Sequence, residues 1–433
     1  MYKHNFQKRY GRLGFGGFHR RHGFNRRGSS AGRRINAVSR RSDIGPSVYI
    51  RKRNNTGLRE NAVSRRTIVD PSRYISSENT QPIQEKYTSQ HSFDDFPIDN
   101  RLIQNIYARG YEKPTPIQDQ AIFPILEGRD VVGIANTGTG KTAAFLIPVI
   151  NKILNESANK VLIVIPTREL AVQIDDEFRA ISKGLAITSL LCIGGVSINR
   201  QIFSLQQNPS IIIGTPGRLK DLSQRRFLDL SNFKTIILDE VDRMVDIGFI
   251  QDIKYIVSLL SRPRQSLFFS ATISPDVGSI IQSFLTNPVT IKVKVQETLP
   301  QIEQDVIRVR DKNEKLQKLD EMLRQEEFKK VLIFGRTKWG VERLSRSLQQ
   351  KGFNAASIHG NKSLNQRLRV LTQFKLNQLH ILVATDVAAR GLDIENVSHV
   401  INFDEPSSYT DYVHRIGRTG RAQKSGKALT FVG

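Results

Sequence analysis

Between Val131 and Thr142 the chain reads VVGIANTGTGKT, an apolar run followed by a glycine-rich loop that ends in Lys-Thr. A helical pattern follows, and this order of strand, loop and helix favours a phosphate-binding loop over a simple tight turn. The glycines let backbone N–H groups approach phosphate oxygens, and the helix N-terminus favours negative charge. We predict that Lys141 reaches the β- and γ-phosphates and that Thr142 ligates Mg²⁺. The predicted loop comprises Ala135, Asn136, Thr137, Gly138, Thr139, Gly140, Lys141 and Thr142.

Short apolar runs recur on both sides of this loop and alternate with helical patterns. The runs are 131–135, 161–165, 211–213, 235–238 and 267–269, and then 331–334, 381–384, 400–403 and 428–432. Such runs predict parallel strands that are buried on both faces. The alternation breaks between Pro288 and Pro300, where residues 292–295 predict one last strand. We therefore predict an α/β fold with two doubly wound parallel sheets in tandem, in domains 92–295 and 296–433.

The positive charge of the chain is concentrated near its N-terminus. The 433 residues include 65 Lys+Arg and 41 Asp+Glu, a net charge of +24, and residues 1–91 alone contribute +15. This region is rich in Arg, Gly and aromatic residues, which predicts a basic disordered arm rather than a packed core. Loose binding of single-stranded nucleic acid suits such an arm. A solubility tail and an organelle-targeting segment are the alternatives.

A short repeat lies inside this arm. Residues 36–41 read NAVSRR and recur at 61–66, while 46–50 resemble 71–75 at the same offset of 25 residues. Two copies are too few and too polar to stack as a solenoid. One interpretation is a bivalent linear motif that gains avidity, and the other is a duplication within a linker.

Composition excludes several classes of protein. The single cysteine, Cys192, excludes an internal disulfide framework and a cysteine-rich zinc site. No apolar run approaches the roughly 18–20 residues of a membrane-spanning helix, and the N-terminus lacks the apolar segment of a secretory signal. We therefore expect a cytoplasmic protein without a membrane partner, long enough for two or three domains with real cores.

A cluster of carboxylates follows the predicted strand at 235–238. The sequence Asp239-Glu240-Val241-Asp242 places acidic groups at the carboxyl end of a strand, where an α/β sheet binds its ligand. We predict that Asp239 holds Mg²⁺ and that Glu240 orients and deprotonates the attacking water. An ordinary helix N-cap is the alternative, and the phosphate loop upstream argues against it.

Arginines are dense in the segment HRIGRTGR at residues 414–421. Arg418 and Arg421 are three residues apart and would share one face of a helical turn. Hydrolysis of a nucleoside triphosphate needs positive charge on the γ-phosphate in the transition state, and arginines supply it. Simple surface charge is the alternative interpretation.

Taken together, these motifs resemble those of the DEAD-box ATP-dependent RNA helicases, over about residues 93–433. The resemblance implies two RecA-like domains with ATP and Mg²⁺ between them. Residues 110–118, GYEKPTPIQ, are similar to the adenine-reading Q motif of that family. By this resemblance Lys113 and Gln118 bind the nucleotide, and Phe93 stacks on the adenine ring. The carboxamide of Gln118 offers both a donor and an acceptor to the adenine edge.

The resemblance also implies roles for three further groups of residues. The nucleotide would be bound from the second domain by Gly391, Asp393, Arg418 and Arg421. RNA would be bound by Pro166, Thr167, Arg168, Gly194, Gly195, Thr215, Pro216, Gly217, Arg218, Gly360, Arg367, Thr385 and Arg390. ATP hydrolysis would be coupled to RNA by Asp242, Ser270, Thr272 and His414.

A few motif residues distinguish the chain within this family. Residues 359–363, HGNKS, are similar to the bacterial RhlE-like branch. Val241 stands where the family has alanine, and Leu364 where it has glutamine. The first departure leaves the carboxylates intact, whereas the second replaces one expected RNA contact.

The resemblance implies an enzyme that couples RNA-stimulated ATP hydrolysis to local unwinding or remodelling of RNA. Its monomeric core would contact the RNA backbone without sequence preference, and its arm would reach ribosomal or RNA-decay assemblies. The alternatives are an ATP-gated RNA clamp, a DNA helicase, and an annealing chaperone driven by the arm. The presence of Glu240, Ser270 and Arg421 argues against the clamp.

Overall fold

The computed structural model describes residues 87–136, 138–156, 158–293, 302–389, 394, 397–420 and 426–433. All of them belong to one unit that runs from Arg66 to Gly433. Most of the predicted arm and its internal repeat lie outside the described residues. Residues 87–91, which we assigned to the arm, are described and bond to Asp119 through Tyr87, Gln90 and His91.

The first half of the described region contains a seven-stranded parallel sheet in the order β3-β4-β2-β5-β6-β1-β7. Its strands are β1 (Val131–Ile134), β2 (Lys160–Val164), β3 (Ser189–Cys192), β4 (Ile211–Gly214), β5 (Phe233–Asp239), β6 (Gln265–Ser270) and β7 (Val289–Lys292). Its helices are α1 (Asn100–Ala108), α2 (Pro116–Leu126), α3 (Lys141–Asn155), α4 (Arg168–Ile181), α5 (Ile198–Leu205), α6 (Pro216–Gln224), α7 (Val241–Ile247), α8 (Ile250–Ser258) and α9 (Pro275–Phe284).

This sheet is buried on both faces. In β2, Val161 and Ile163 pack into one hydrophobic cluster, while Leu162 and Val164 pack into another on the opposite face. Successive side chains of a strand point to opposite faces, so an uninterrupted apolar run is what a sheet covered by helices on both sides requires. This explains why the central strands could be read from apolar runs alone.

The second half contains a six-stranded parallel sheet in the order β10-β11-β9-β12-β13-β8. Its strands are β8 (Ile302–Arg308), β9 (Val331–Phe334), β10 (Ala355–Ile358), β11 (Ile381–Ala384), β12 (His399–Asn402) and β13 (Gly426–Val432). Its helices are α10 (Lys312–Leu323), α11 (Lys338–Gln350), α12 (Leu364–Lys375), α13 (Asp386–Ala389) and α14 (Tyr409–Ile416). The chain passes from the first sheet to the second between β7 and β8.

The predicted α/β class with two parallel sheets in tandem is confirmed, but four details differ. Strands β3, β8 and β10 were not predicted, because β3 and β8 are edge strands with partly exposed residues and β10 contains small ones. The last described strand of the first sheet, β7, begins at Val289, three residues before the predicted 292–295, because its pairing with β1 aligns Val289 with Val131. Residues 294 and 295 lie outside the described part of the chain. No described helix combines the length and apolar composition needed to cross a membrane.

Candidate active site

The glycine-rich loop follows β1 and ends where α3 begins. Gly138 and Gly140 have φ values of 87° and 93°, a left-handed region that glycine adopts without strain. A Cβ atom on Gly140 would lie 2.5 Å from Nε2 of Gln118, so this position also needs the absence of a side chain. Gln118 donates from Nε2 to the Gly140 carbonyl at 3.1 Å and accepts at Oε1 from the Thr115 N–H at 2.9 Å. The residue predicted to read adenine is therefore joined to the phosphate loop.

Lys141 is buried at the first position of α3. Its Nζ donates to the carbonyl oxygen of Ala135 at 2.7 Å, across its own loop. Asn136 accepts at its carbonyl from the Thr139 hydroxyl at 2.8 Å, and Thr142 is partly buried beside Lys141. An arriving phosphate would compete with the loop carbonyl for the ammonium group. Thr137 lies outside the described residues.

Asp239 ends β5, on the same sheet edge as the loop after β1. Its side chain is 2% exposed, and burial raises the pKa of its carboxyl to about 7, an effect that nearby Lys141 partly opposes. Glu240 follows with φ 54° and ψ 51°, a left-handed conformation that strains a residue with a side chain by roughly 1–2 kcal/mol. Strain of this kind is concentrated at functional sites. The two predicted catalytic carboxylates are thus buried and adjacent.

The predicted coupling residues of the first half are bonded to each other. Oδ2 of Asp242 accepts from the Ala271 N–H, the Thr272 N–H and the Thr272 hydroxyl at 3.0–3.2 Å. Ser270 accepts at Oγ from the Asp242 N–H at 3.3 Å and donates to the Thr272 carbonyl at 2.8 Å. The start of α7 is therefore tied to the end of β6. His414 lines a cavity of about 400 Å³ together with Asp242 and Thr272.

Arg418 is buried just after α14 and lines a crevice with Asp386 and His414. The predicted nucleotide-binding residues Gly391, Asp393 and Arg421 lie outside the described part of the chain, as does the predicted RNA-binding Arg390. Their assignments remain predictions.

A groove of about 470 Å³ is lined by residues of both halves. It brings together these predicted RNA-binding residues: Pro166, Thr167, Arg168, Gly194, Thr215, Gly217, Arg218, Gly360 and Arg367. Gly194 and Gly195 lie against the guanidinium of Arg168, and a Cβ on Gly194 would come within 2.9 Å of Nη2. The pair of glycines therefore makes room for an arginine in the groove. Pro216 begins α6, and Thr385 is buried at the end of β11.

Two side chains of α12 join the halves beside this groove. Nη2 of Arg367 lies 2.6 Å from Oε1 of Glu169 on α4, and both side chains are largely buried. Leu364, which stands where the family has glutamine, is buried in the hydrophobic cluster of the first half. The departure at Leu364 thus replaces a polar group with an apolar contact between the halves. Val241, the other departure, is fully buried in the core beneath β5.

The residue predicted to stack on adenine is covered. The Phe93 side chain has no exposed area, and its ring lies among Phe96, Tyr107 and Tyr111 at centroid distances of 6.1–6.4 Å. Stacking on a base would require one of these rings to move. Lys113 is exposed in the turn before α2.

Sequence reasoning missed two buried arginines. Arg415 bonds Asp386 bidentately and also donates to Asn402 and to the Asp404 carbonyl. Arg243 forms an ion pair with Glu240. The available signal in the sequence was that the two residues are three positions apart, a spacing that brings side chains together at the start of a helix. Among the described residues no cluster of three or more His, Cys, Asp or Glu side chains could hold a metal alone.

Comparisons with known proteins agree with these motifs. The family models described as DEAD/DEAH box helicase and Helicase conserved C-terminal domain match residues 115–280 and 314–423. The ATP-dependent RNA helicase CshA of Limosilactobacillus reuteri is 45% identical over 342 residues, covering 78% of this chain and 69% of that protein. The DEAD-box ATP-dependent RNA helicase CshA of Bacillus licheniformis is also 45% identical, covering 79% and 70%. The chain spans about two thirds of the length of these relatives.

Solved structures give the same result for the fold. S. cerevisiae Dbp5 bound to RNA and ADP BeF3 superimposes with a TM-score of 0.70 at 30% identity, covering 79% of this chain and 89% of that one. The bacterial relatives carry the name CshA, a different branch from the RhlE-like one. They therefore do not support the branch suggested by residues 359–363.

Proposed function

The chain belongs to the DEAD-box family of ATP-dependent RNA helicases, and on that premise we propose how its own residues couple ATP to RNA. The observation that carries the proposal is the groove of about 470 Å³, which both halves line with residues expected to bind RNA. Binding of ATP between the halves would hold them together on one strand. Because the groove is shared, a strand held there must follow its shape, and its paired partner is displaced.

The nucleotide site supplies the chemistry of this proposal. Lys141 binds the β- and γ-phosphates, Gln118 reads the adenine edge, and Arg418 places positive charge near the γ-phosphate. Glu240 orients the attacking water and accepts its proton. Burial penalises the charged form of the Asp239 carboxyl, and a bound cation would stabilise that form. Asp239, together with the hydroxyl of Thr142, would therefore hold Mg²⁺. When bound there, Mg²⁺ would neutralise the negative charge that develops on the phosphates.

The coupling segment transmits the state of the nucleotide. Asp242 holds the turn that contains Thr272, and both line the cavity that His414 reaches from the second half. A change at Glu240, two residues before Asp242, would therefore alter the wall of the cavity that both halves line. Hydrolysis and release of phosphate would loosen this contact, reopen the groove and free the RNA.

Several finer assignments also belong to this proposal. The domains are 92–295 and 296–433, the core acts as a monomer in the cytoplasm, and it contacts RNA through the backbone without sequence preference. The basic arm tethers RNA or ribosomal and RNA-decay assemblies, which its charge supports. The branch we propose is CshA-like, given the relatives found.

The decisive experiment compares Glu240→Gln with Glu326→Gln, an exposed carboxylate outside the site. Wild type should hydrolyse ATP faster with RNA than with DNA of the same sequence. Glu240→Gln should lower this rate by at least about 100-fold while increasing retention of RNA in the presence of ATP. Hydrolysis at the wild-type rate in Glu240→Gln would refute the base assignment. Stimulation by DNA alone would favour a DNA helicase, and strand annealing without ATP that needs residues 1–90 would favour a chaperone.

A further inference from the structure

Arg243 occupies an unusual position in the first half. It is the third residue of α7, three residues after Glu240, and its side chain is 6% exposed. Its Nη1 lies 3.0 Å from Oε2 of Glu240, whose side chain is 10% exposed. A buried ion pair of this kind fixes both partners, because removal of one leaves the other charge uncompensated. Arg243 therefore holds one carboxylate oxygen of Glu240.

The same guanidinium reaches the second half. Its Nη2 donates to the carbonyl oxygen of Val387 at 3.1 Å. Val387 lies in α13, two residues after the predicted RNA-binding Thr385, and its side chain lines the groove. A backbone carbonyl can accept this bond only while α13 stays close to α7. The contact therefore exists in the present arrangement of the halves and is lost when they separate.

The geometry of arginine makes the two contacts interdependent. A guanidinium is planar and presents its N–H groups in a fixed fork, so an acceptor at one nitrogen restricts where the other can point. Glu240, the residue before α7, has a left-handed backbone conformation that is strained for a residue with a side chain. Arg243 supplies a contact to its carboxylate, and the same guanidinium is bonded to the second half through the Val387 carbonyl.

We propose that Arg243 is a positioning residue that makes the orientation of the Glu240 carboxylate depend on closure of the two halves. This inference rests on the proposed role of Glu240 as the base. RNA and ATP bring α13 against α7, the Val387 carbonyl captures Nη2, and Nη1 then holds Glu240 in the orientation that leaves its other oxygen for water. Stimulation of hydrolysis by RNA follows, because an open enzyme lacks this restraint.

The test uses Arg243→Lys in the full-length protein, with Arg225→Lys as the matched control. Arg225 is an exposed arginine that bonds Asp221 on the surface. Lysine keeps the positive charge beside Glu240, but its single ammonium group lacks the fork that spans both acceptors. We expect the RNA-stimulated kcat to fall at least about tenfold, with KM for ATP changed less than about twofold and RNA-independent hydrolysis lowered by a smaller factor than the stimulated rate. Arg225→Lys should match wild type in all three.

A measurement without turnover separates positioning from structural support. Binding of a labelled oligouridine is measured with ADP·BeF3 in wild type, Arg243→Lys, Glu240→Gln and the double variant. If Arg243 contributes to closure through Val387, Arg243→Lys should lower the affinity about fivefold both in the wild-type background and in the Glu240→Gln background. If Arg243 merely neutralises the buried Glu240, the loss should disappear once that residue is uncharged, which overturns the proposal.

Other outcomes are equally decisive. An RNA-stimulated kcat within twofold of wild type in Arg243→Lys overturns the inference and leaves the function of Glu240 untouched. An equal fall in stimulated and unstimulated rates, with unchanged RNA affinity, also overturns it. Normal hydrolysis in Glu240→Gln instead refutes the base assignment itself, so the two failures are distinguishable. Melting curves of every variant identify a folding defect, and the oligouridine measurement is then made below the melting range of the weakest variant.

Discussion

The carboxyl edges of the two sheets differ in how their acidic side chains are paired. At the first edge, Asp239 is buried and its pKa is raised to about 7, while Lys141 rests on a loop carbonyl. At the second edge, Arg415 is 2% exposed and bonds both carboxylate oxygens of Asp386, at 2.5 and 2.8 Å. Among the described residues, the Asp239 carboxyl at the first edge therefore has no ion-pair partner within 4 Å, whereas Asp386 at the second edge has one.

A second carboxylate of the second half is also satisfied by neighbouring side chains. Oε2 of Glu342 on α11 accepts from the Ser357 hydroxyl at 2.5 Å, and it lies 3.1 Å from His359 and 3.3 Å from Lys362. The Ser357 hydrogen bond, with help from His359 and Lys362, lowers the pKa of Glu342 to about 2. This network supports the turn that places Gly360 in the groove of about 470 Å³.

The difference assigns different tasks to the two edges. Unsatisfied buried charge is stable only when a ligand compensates it, so it marks a place where ions or phosphates bind. A satisfied network is rigid and holds backbone groups in place. Under the proposed function, the first edge would accordingly bind ATP, and the second would present a fixed surface to RNA and to the first half. Four substitutions test this contrast.

The largest effect is expected from Lys141→Ala at the unsatisfied edge. Removing the ammonium group should weaken ATP binding by at least about 100-fold, because no other group replaces it on the phosphates. Unfolding in urea should change little, since the ammonium is bonded to a loop carbonyl. Binding of a fluorescent ATP analogue gives the affinity, with the exposed Lys183→Ala as control. Affinity within about threefold of wild type would mean that the loop does not bind phosphates through Lys141.

The next largest effect is expected from Arg415→Met at the satisfied edge. It removes a buried guanidinium and leaves the partly exposed Asp386 without its partner, which should lower the free energy of unfolding by about 2–3 kcal/mol. Arg324→Met is the control, because Arg324 is an exposed arginine that bonds Asp320 one turn away, and it should cost less than about 0.5 kcal/mol. Urea unfolding monitored by circular dichroism measures both. A loss below about 1 kcal/mol for Arg415→Met would show that the network does not support the second half.

The fold of the central strands was predictable from the sequence, and the edges were not. Strand β2 is an uninterrupted apolar run because helices cover both faces. Strand β8 reads IEQDVIR, with mixed burial, because it lies at the end of its sheet and pairs with β13 alone. A polar alternating segment of this kind does not differ from a loop until its pairing partner is known.

The site divides in the same way. The positions of Asp239 and Glu240 could be predicted, because a local motif places them at the end of a strand. The bond between Arg243 and Val387 joins residues that are 144 positions apart, so no local pattern encodes it. Burial of Phe93 depends likewise on Tyr107 and Tyr111 from later in the chain. Sequence therefore predicts where the two carboxylates lie better than which groups hold them.

A third prediction concerns the pH dependence of Asp239→Asn in the nucleotide-free protein with EDTA. The folded pKa of Asp239 is about 7, against an ordinary value of 3.8, so the folded protein holds an extra proton between these values. Its stability therefore falls as pH rises from about 4 to 7. Asparagine carries no charge, so the variant should be more stable than wild type, and its gain at pH 8 should exceed that at pH 5 by roughly 2 kcal/mol.

Urea unfolding at the two pH values measures this gain, with the exposed Asp276→Asn as control. Asparagine keeps the oxygen that accepts from the Glu240 N–H at 2.9 Å, so the comparison isolates the charge. A gain that is equal at both pH values would show that the Asp239 carboxyl is ionised throughout, and the first edge would then be satisfied like the second.

The smallest effect, with the opposite pH dependence, is expected from Glu342→Gln. The folded pKa of about 2 lies below the ordinary 4.5, so the carboxylate contributes stability above pH 4.5 and loses it as pH falls towards 2. Glutamine should therefore lower the free energy of unfolding by about 1 kcal/mol at pH 7, and by less at pH 4. RNA affinity should fall roughly twofold to threefold, because the Gly360 turn loses its support. The exposed Glu321→Gln is the control, and a loss that grew towards acid pH would mean that Glu342 carries unsatisfied charge, which removes the contrast between the edges.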